Sequence, residues 1–161
     1  MYNPYWIWRY SFRKGVKYMK VKDIMTSPAI SISPGESVSV AARTLTQYNI
    51  GALPVCGQDG KLCGMVTDRD LVIRCLAADR SPEKTSVREI MTGGITSVQP
   101  DMEVGVAAHL MGRQQIRRLP VTKNGKLCGI VSLGDLAASE MSVMDAADAL
   151  ADVSSNISQR K

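Results

Sequence analysis

Val38, Ala41, Ala42 and Leu45 fall at i, i+3, i+4 and i+7, the spacing of one apolar helix face. Sixty-six residues later Val104, Ala107, Ala108 and Met111 repeat that spacing. Each helix is followed by two short apolar runs around a turn signal. "LPVC" and "KLCGMVT" flank "GQDG", and "LPVT" and "KLCGIVS" flank "KNG", so two hairpins are predicted. Residues Ala29 to Ile32, after the turn signal Ser27-Pro28, predict a short strand. A second helix is expected from near Asp68 to about Ala78, with its counterpart from Gly134 to about Met141. Each set therefore reads β-α-β-β-α. In the tail, Val143, Ala146, Ala147 and Leu150 again fall at i, i+3, i+4 and i+7, predicting a short helix whose apolar face needs cover.

The recurrence extends beyond pattern to identity. "VKDIMTSPAISISPGESVSVAARTL" (21–45) aligns with "VREIMTGGITSVQPDMEVGVAAHLM" (87–111), and "GKLCGMV" (60–66) with "GKLCGIV" (125–131). Two copies of about 60 residues, each too small to bury much alone, should pack on each other. The expected fold is α+β: two tandem β-α-β-β-α units in a pseudo-two-fold pair, plus a short C-terminal helix. The units are set at 19–78 and 87–140, with a linker at 79–86 and a tail at 141–161.

Composition changes the picture at one end only. The chain has 161 residues, 45% hydrophobic and 22% charged, with a formal charge of +5. Residues 1–18, "MYNPYWIWRYSFRKGVKY", carry Arg9, Arg13, Lys14 and Lys17, no acid, and every aromatic residue except Tyr48. Without those four cations the net charge is +1, so the basicity is no argument for nucleic-acid binding. This segment reads either as a membrane-surface or partner-binding arm or as sequence upstream of a true start at Met19. The second reading is expected from the composition break, and because "RKGV" can be encoded by a ribosome-binding sequence. No apolar run approaches the ~20 residues of a membrane span. Cys56, Cys63, Cys75 and Cys128 have no metal-ligand spacing, which predicts reduced thiols in a cytoplasmic protein.

One phrase recurs where a strand gives way to a helix: "GMVTDRDL" (64–71) and "GIVSLGDL" (129–136). A hydroxyl followed three residues later by an acid fits a helix-start capping box. The same geometry suits a ligand. Phosphate is favoured beside Thr67 or Ser132 at the helix start, and an ionised Asp70 or Asp135 can accept from both hydroxyls of a ribose. The copies place positive charge differently: Arg69 lies inside the first phrase, and Arg117-Arg118 precede "LPV" in the second.

With "DIMT", "LPV" and "G-apolar-V-[T/S]-x-x-D-L" in order, twice, residues 20–140 resemble a tandem pair of CBS (cystathionine-β-synthase-type) domains, a Bateman module. The phrases "QIRRLP" and "GIVSLGDLA" are most similar to the stand-alone bacterial pairs. The resemblance implies that Thr67 and Ser132 meet phosphate and Asp70 and Asp135 meet ribose. It implies that basic residues before "LPV" assist at phosphate, in clefts between the copies. Arg117 and Arg118 are adjacent on a predicted strand and point to opposite faces, so at most one is expected to face a given cleft, the other being solvated. Arg69 is a further phosphate candidate. Backbone groups near Ile30, Ile32, Thr96 and Val98 are expected to read adenine. The ligand would be AMP, ADP or ATP, or S-adenosylmethionine or NAD. A homodimer and a downstream protein partner are implied as well.

Chemistry is poorly provided for. His109, the one histidine, has no nucleophile-and-base pair with it. Cys63 and Cys128 read as small buried strand residues. A non-enzymatic sensor without cofactor or metal is expected. The alternative is a ligand-independent interaction homodimer in which the two phrases are only caps.

Overall fold

The structure, a computed structural model, describes residues 19–139 and 143–155; the basic-aromatic segment 1–18 lies outside the described residues. The two long helices form where periodicity places them. Helix α2 (Val38–Tyr48) begins at Ser37, whose Oγ accepts from Val40 N at 3.2 Å, and ends at Asn49, in the left-handed region at φ 51°. Its counterpart α5 (Val104–Gln114) ends likewise at Gln115, φ 55°. Val38, Ala41 and Leu45 are buried as expected, but Ala42 is exposed, whereas its equivalent Ala108 is buried.

The hairpins follow. Strand β1 (Ala52–Cys56) runs antiparallel to β2 (Leu62–Thr67), with Leu53 opposite Val66 and an irregularity between Val55 and Cys56. Strands β4 (Arg118–Lys123) and β5 (Lys126–Ser132) form the second pair. Gly60 and the Asn124-Gly125 turn supply the positive φ that tight turns require. The predicted strand at Ala29–Ile32 shrinks to one parallel bridge, Ile32 with Val55. Pro34, two residues on, has no N–H to extend the ladder. Val98, followed by Pro100, makes the equivalent single bridge with Val121.

The opening turns, α1 (Val21–Ile24) and α4 (Val87–Ile90), are exchanged between copies. Val21 N donates to Met102 O and Val104 N to Met19 O, at 2.9 and 3.0 Å. Sixty-six residues apart, Val87 N donates to Glu36 O and Val38 N to Thr85 O, at 2.8 and 2.9 Å. Each copy's long helix thus starts against the other copy's opening turn.

Two compact units result: residues 26–99 with 120–130, and the described residues up to 25 with 100–119 and 131 onward. In the first, Ile32, Val38, Leu45, Leu53, Val55, Val66, Leu71, Val87 and Ile90 build one core. Short strand β3 (Thr92–Gly93) adds to β2 there. It does so beside Gly64, where an added Cβ would lie 2.5 Å from the Thr92 carbonyl oxygen. In the second unit the equivalent residues Val21, Val104, Met111, Leu119, Val131 and Leu136 are buried.

The helices after the repeated phrases differ. In the second unit, α6 (Leu133–Ala138) is a plain α-helix. In the first, α3 (Asp68–Asp70) passes into a π-turn at Leu71–Cys75 and a 3₁₀ turn at Leu76–Ala78. Helix α7 (Val143–Ser155) packs on α5 and α6 through Ala146 and Ala149. The predicted face is rotated: Ala147 and Leu150 are exposed. Gly112 explains the choice, since a Cβ there would lie 3.4 Å from the Ala149 Cα, so α7 approaches with its smallest residues. A second correction concerns Cys63, which is exposed, not buried; its thiol donates to Lys61 O at 3.6 Å beside the β1–β2 irregularity.

Candidate functional site

Both repeated phrases close as reciprocal capping boxes. Asp70 Oδ2 accepts from Thr67 N and Thr67 Oγ1, at 2.9 and 2.7 Å, while Asp70 N donates to Thr67 Oγ1 at 3.2 Å. Asp135 Oδ2 accepts from Ser132 N and Ser132 Oγ, both at 2.7 Å, and Asp135 N donates to Ser132 Oγ at 3.2 Å. The residue just before β1, and likewise the one just before β4, is tied to the helix start of its copy. Asp68 N donates to Gly51 O, and Leu133 N to Arg117 O, at 3.2 and 3.0 Å. Arg117 is therefore next to the Ser132 cap; its side chain and that of Arg118 are exposed.

The two helix starts are otherwise unlike. In the first, Arg69 N donates to Asp68 Oδ1 at 2.7 Å, so each of the first three helical amides has an acceptor in the protein. The Arg69 side chain is exposed. The remaining Asp70 oxygen, Oδ1, faces Arg74 Nη1 at 3.4 Å, and that guanidinium nitrogen also donates to Ile90 O at 2.7 Å and Thr92 Oγ1 at 3.1 Å. Asp70 keeps 14% side-chain exposure. In the second, the counterpart of Arg74 is Ser139, which donates to Met19 Sδ. No described residue donates to Asp135 Oδ1, and none accepts from Gly134 N.

The other predicted positions fall as follows. Ile32 N donates to Pro54 O and Ile32 O accepts from Cys56 N; Val98 N donates to Pro120 O and Val98 O accepts from Thr122 N. Those bridges engage both backbone groups of Ile32 and Val98, whose side chains are buried. Ile30 and Thr96 are half-buried and lie outside the bridges. Ile30 shares a unit with Thr67, Arg69 and Asp70. Arg117, Arg118, Ser132 and Asp135 share the other.

Arg74 was missed by the sequence reading. Its position four residues after Asp70 on a helix is the signal that could have found it. Two hollows sit elsewhere. A groove of about 310 Å³ between α5 and α7 is lined by Gly105, His109, Asp145, Asp148 and Asp152, which puts His109 on a helix contact. A hollow of about 190 Å³ lies beside Cys63, Ser97 and Thr122. Burial pushes the Cys56 thiol above its usual range, which favours the unreactive protonated form. Among the described residues, no three His, Cys, Asp or Glu side chains cluster to hold a metal ion. Nor is any described helix long and apolar enough to cross a membrane.

The family profile of the CBS domain matches residues 21–76 and again 87–142. CBS domain-containing protein YhcV of Bacillus subtilis is 43% identical over 134 residues, spanning 83% of this chain and 94% of that protein. Among solved structures, Hypoxic Response Protein I with two coordinated zinc ions is 35% identical with a TM-score of 0.70, covering 74% of this chain and 98% of its own. The CBS domain pair of protein MJ0100, in complex with 5′-methylthioadenosine and S-adenosyl-L-methionine, is 31% identical with a TM-score of 0.69. It covers 76% of this chain and 95% of its own.

Proposed function

Since the chain belongs to the CBS-domain family, we propose that it is a non-catalytic regulatory module that binds an adenosine-containing ligand and passes the change to a partner protein. The observation that carries this reading is Asp135. One of its carboxylate oxygens is fixed by Ser132 while the other receives no hydrogen bond from a described residue. A carboxylate oriented through one oxygen presents the second to a ribose hydroxyl without further ordering. The Gly134 amide and the adjacent Arg117 supply donors for phosphate or for another polar group of the ligand, while Ser132 orients Asp135. The bound adenosyl compounds of the MJ0100 pair support the ligand class; AMP, ADP, ATP and NAD belong to the same chemistry.

Calorimetric titration with AMP, ATP, NAD, S-adenosylmethionine and 5′-methylthioadenosine tests it. Micromolar affinity, about −8 kcal/mol, is expected for at least one. A ribose contact of roughly 1.5–3 kcal/mol makes Asp135→Ala weaken that ligand about ten- to a hundredfold. No binding below millimolar concentration to any of the five defeats the proposal.

The capping boxes favour a second reading, in which the phrases only start helices and the chain is a ligand-independent interaction module. It requires that none of these compounds raises the melting temperature. A homodimer fits either reading. Val72, Ile73 and Leu76 in one unit, and Met144 and Leu150 in the other, are large apolar side chains left exposed. Sedimentation as a monomer at micromolar concentration would remove that expectation.

A further inference from the structure

The repeated phrases invite the conclusion that each chain holds two equivalent ligands. We infer instead that Arg74 is a built-in occupant of the first Thr-x-x-Asp site, so the chain takes one adenosyl ligand, at Asp135. This rests on the nucleoside reading above and adds which copy serves it.

Three features fix Arg74 in place. It lies on the π-turn Leu71–Cys75, whereas in the second copy the α-helix ends at Ala138, one residue before Arg74's sequence counterpart Ser139. π-turns inside helices recur at functional positions because they re-aim side chains. One guanidinium nitrogen then meets three oxygens at once: Asp70 Oδ1, the Ile90 carbonyl and Thr92 Oγ1. Ile90 is the last residue of α4, so its carbonyl lacks an intrahelical donor, and the residue is fully buried. Pulling Arg74 aside for a ribose would strand that carbonyl. The guanidinium thus serves as the α4 cap and keeps the outward oxygen of Asp70 engaged. Asp70 Oδ2 is already taken by Thr67. Among the described residues Asp135 Oδ1 has no such neighbour, and Arg74's sequence counterpart is Ser139.

The test is calorimetry with S-adenosylmethionine, 5′-methylthioadenosine and AMP on the full chain and on Asp70→Ala, Asp135→Ala, Arg74→Gln and Asp70→Ala/Arg74→Gln variants. Glutamine keeps a shorter polar side chain while removing the charge and the fork. For whichever probe binds, the full chain should show about one site. Asp70→Ala should change its affinity less than about twofold and Asp135→Ala should weaken it about tenfold or more. Arg74→Gln should raise the stoichiometry towards two, and the double variant should return it to one. Two sites in the unaltered chain, or one site lost with Asp70→Ala, overturns the inference and leaves the nucleoside reading standing. So does Arg74→Gln with a preserved melting transition and a stoichiometry still at one. If that variant does not fold, the Asp70→Ala comparison decides alone. Absence of binding to every form removes both the nucleoside reading and this inference.

Discussion

Helices α2 and α5 carry the same repeat, yet among the described residues only α5 has a long helix laid across it. The difference comes down to what lines the outer face. α5 presents Gly105, Ala108, His109 and Gly112; α2 presents Ser39, Ala42, Arg43 and Thr46 at the equivalent places. At Gly112 a Cβ would already come within 2.9 Å of Asp152 Oδ2 and 3.1 Å of its Cβ. Thr46 has that Cβ and more, so α2 cannot accept α7 at the same distance. Ala42 is left exposed where Ala108 is buried. Duplication supplied one backbone twice, and a few small-to-larger exchanges decide which copy is covered. The repeated phrases obey the same logic: with Arg74 against Ser139, Asp70 is engaged at both oxygens and Asp135, among the described residues, at one.

The largest expected effect comes from charging the covered face. Ala108→Glu leaves an unpaired buried carboxylate, on the order of 3–5 kcal/mol, unless α7 lifts away. Either outcome lowers the melting temperature, and release also reduces the helical far-UV signal. Ala42→Glu, on the uncovered face, should stay within about 0.5 kcal/mol of the parent. Equal losses at both positions would break the comparison. Gly112→Val is next. Forcing two methyl groups against Asp152 and Ala149 should cost about 1–3 kcal/mol by thermal or urea unfolding. Thr46→Val should be near neutral, because Thr46 is exposed.

Smaller, and deliberately equal, are the two cap deletions. Thr67→Ala and Ser132→Ala each remove a hydroxyl that accepts from the third helical amide, so each should cost about 1 kcal/mol. Only Ser132→Ala should also weaken an adenosyl ligand. A ligand response confined to Thr67→Ala would reverse the assignment of the copies.

Much of this was legible in the chain because the determinants are local. The α2 and α5 stripes, the hairpin turns at Gly60 and Gly125, and the Thr67–Asp70 and Ser132–Asp135 boxes each lie within a few residues, where period and turn chemistry decide. The exchange of opening turns was not legible, since Val21 and Met102 are brought together by folding, not by spacing. Nor was the face used by α7. Its stripe at Val143, Ala146, Ala147 and Leu150 marks an apolar side, but Gly112 of α5 selects Ala146 and Ala149. The single bridge at Ile32 shows tertiary pairing limited by a proline that strand propensity alone does not weigh. At the site, the capping carboxylates were visible in sequence. The Asp70–Arg74 pair stands at i, i+4 and could have been read, but the π-turn that carries Arg74 and its hold on Ile90 O and Thr92 Oγ1 join residues that no local pattern brings together.

The opening turns sharpen the comparison at its finest grain. At α4, Ser86 N and Ser86 Oγ both donate to Glu89 Oε1 at 2.9 Å. At α1, Lys20 stands in the serine's place, and among the described residues Asp23 Oδ2 receives only the backbone N–H of Lys20, at 2.9 Å. The backbone N–H of Ser86, then its hydroxyl, with a smaller contribution from Arg80, hold the Glu89 carboxyl below its ordinary range. A carboxyl more acidic in the folded than in the unfolded chain adds stability above the unfolded value, about 4.3 for glutamate. That stability is lost as pH falls through the folded value. Glu89→Gln should therefore lower the urea midpoint at neutral pH, and by less at about pH 3, where more of the parent's carboxyl is protonated. The group is exposed, so the shift should be small and shrink in high salt. An equal loss at both pH values would mean that the α4 turn is held by the shape of its hydrogen bonds and not by the charge of Glu89.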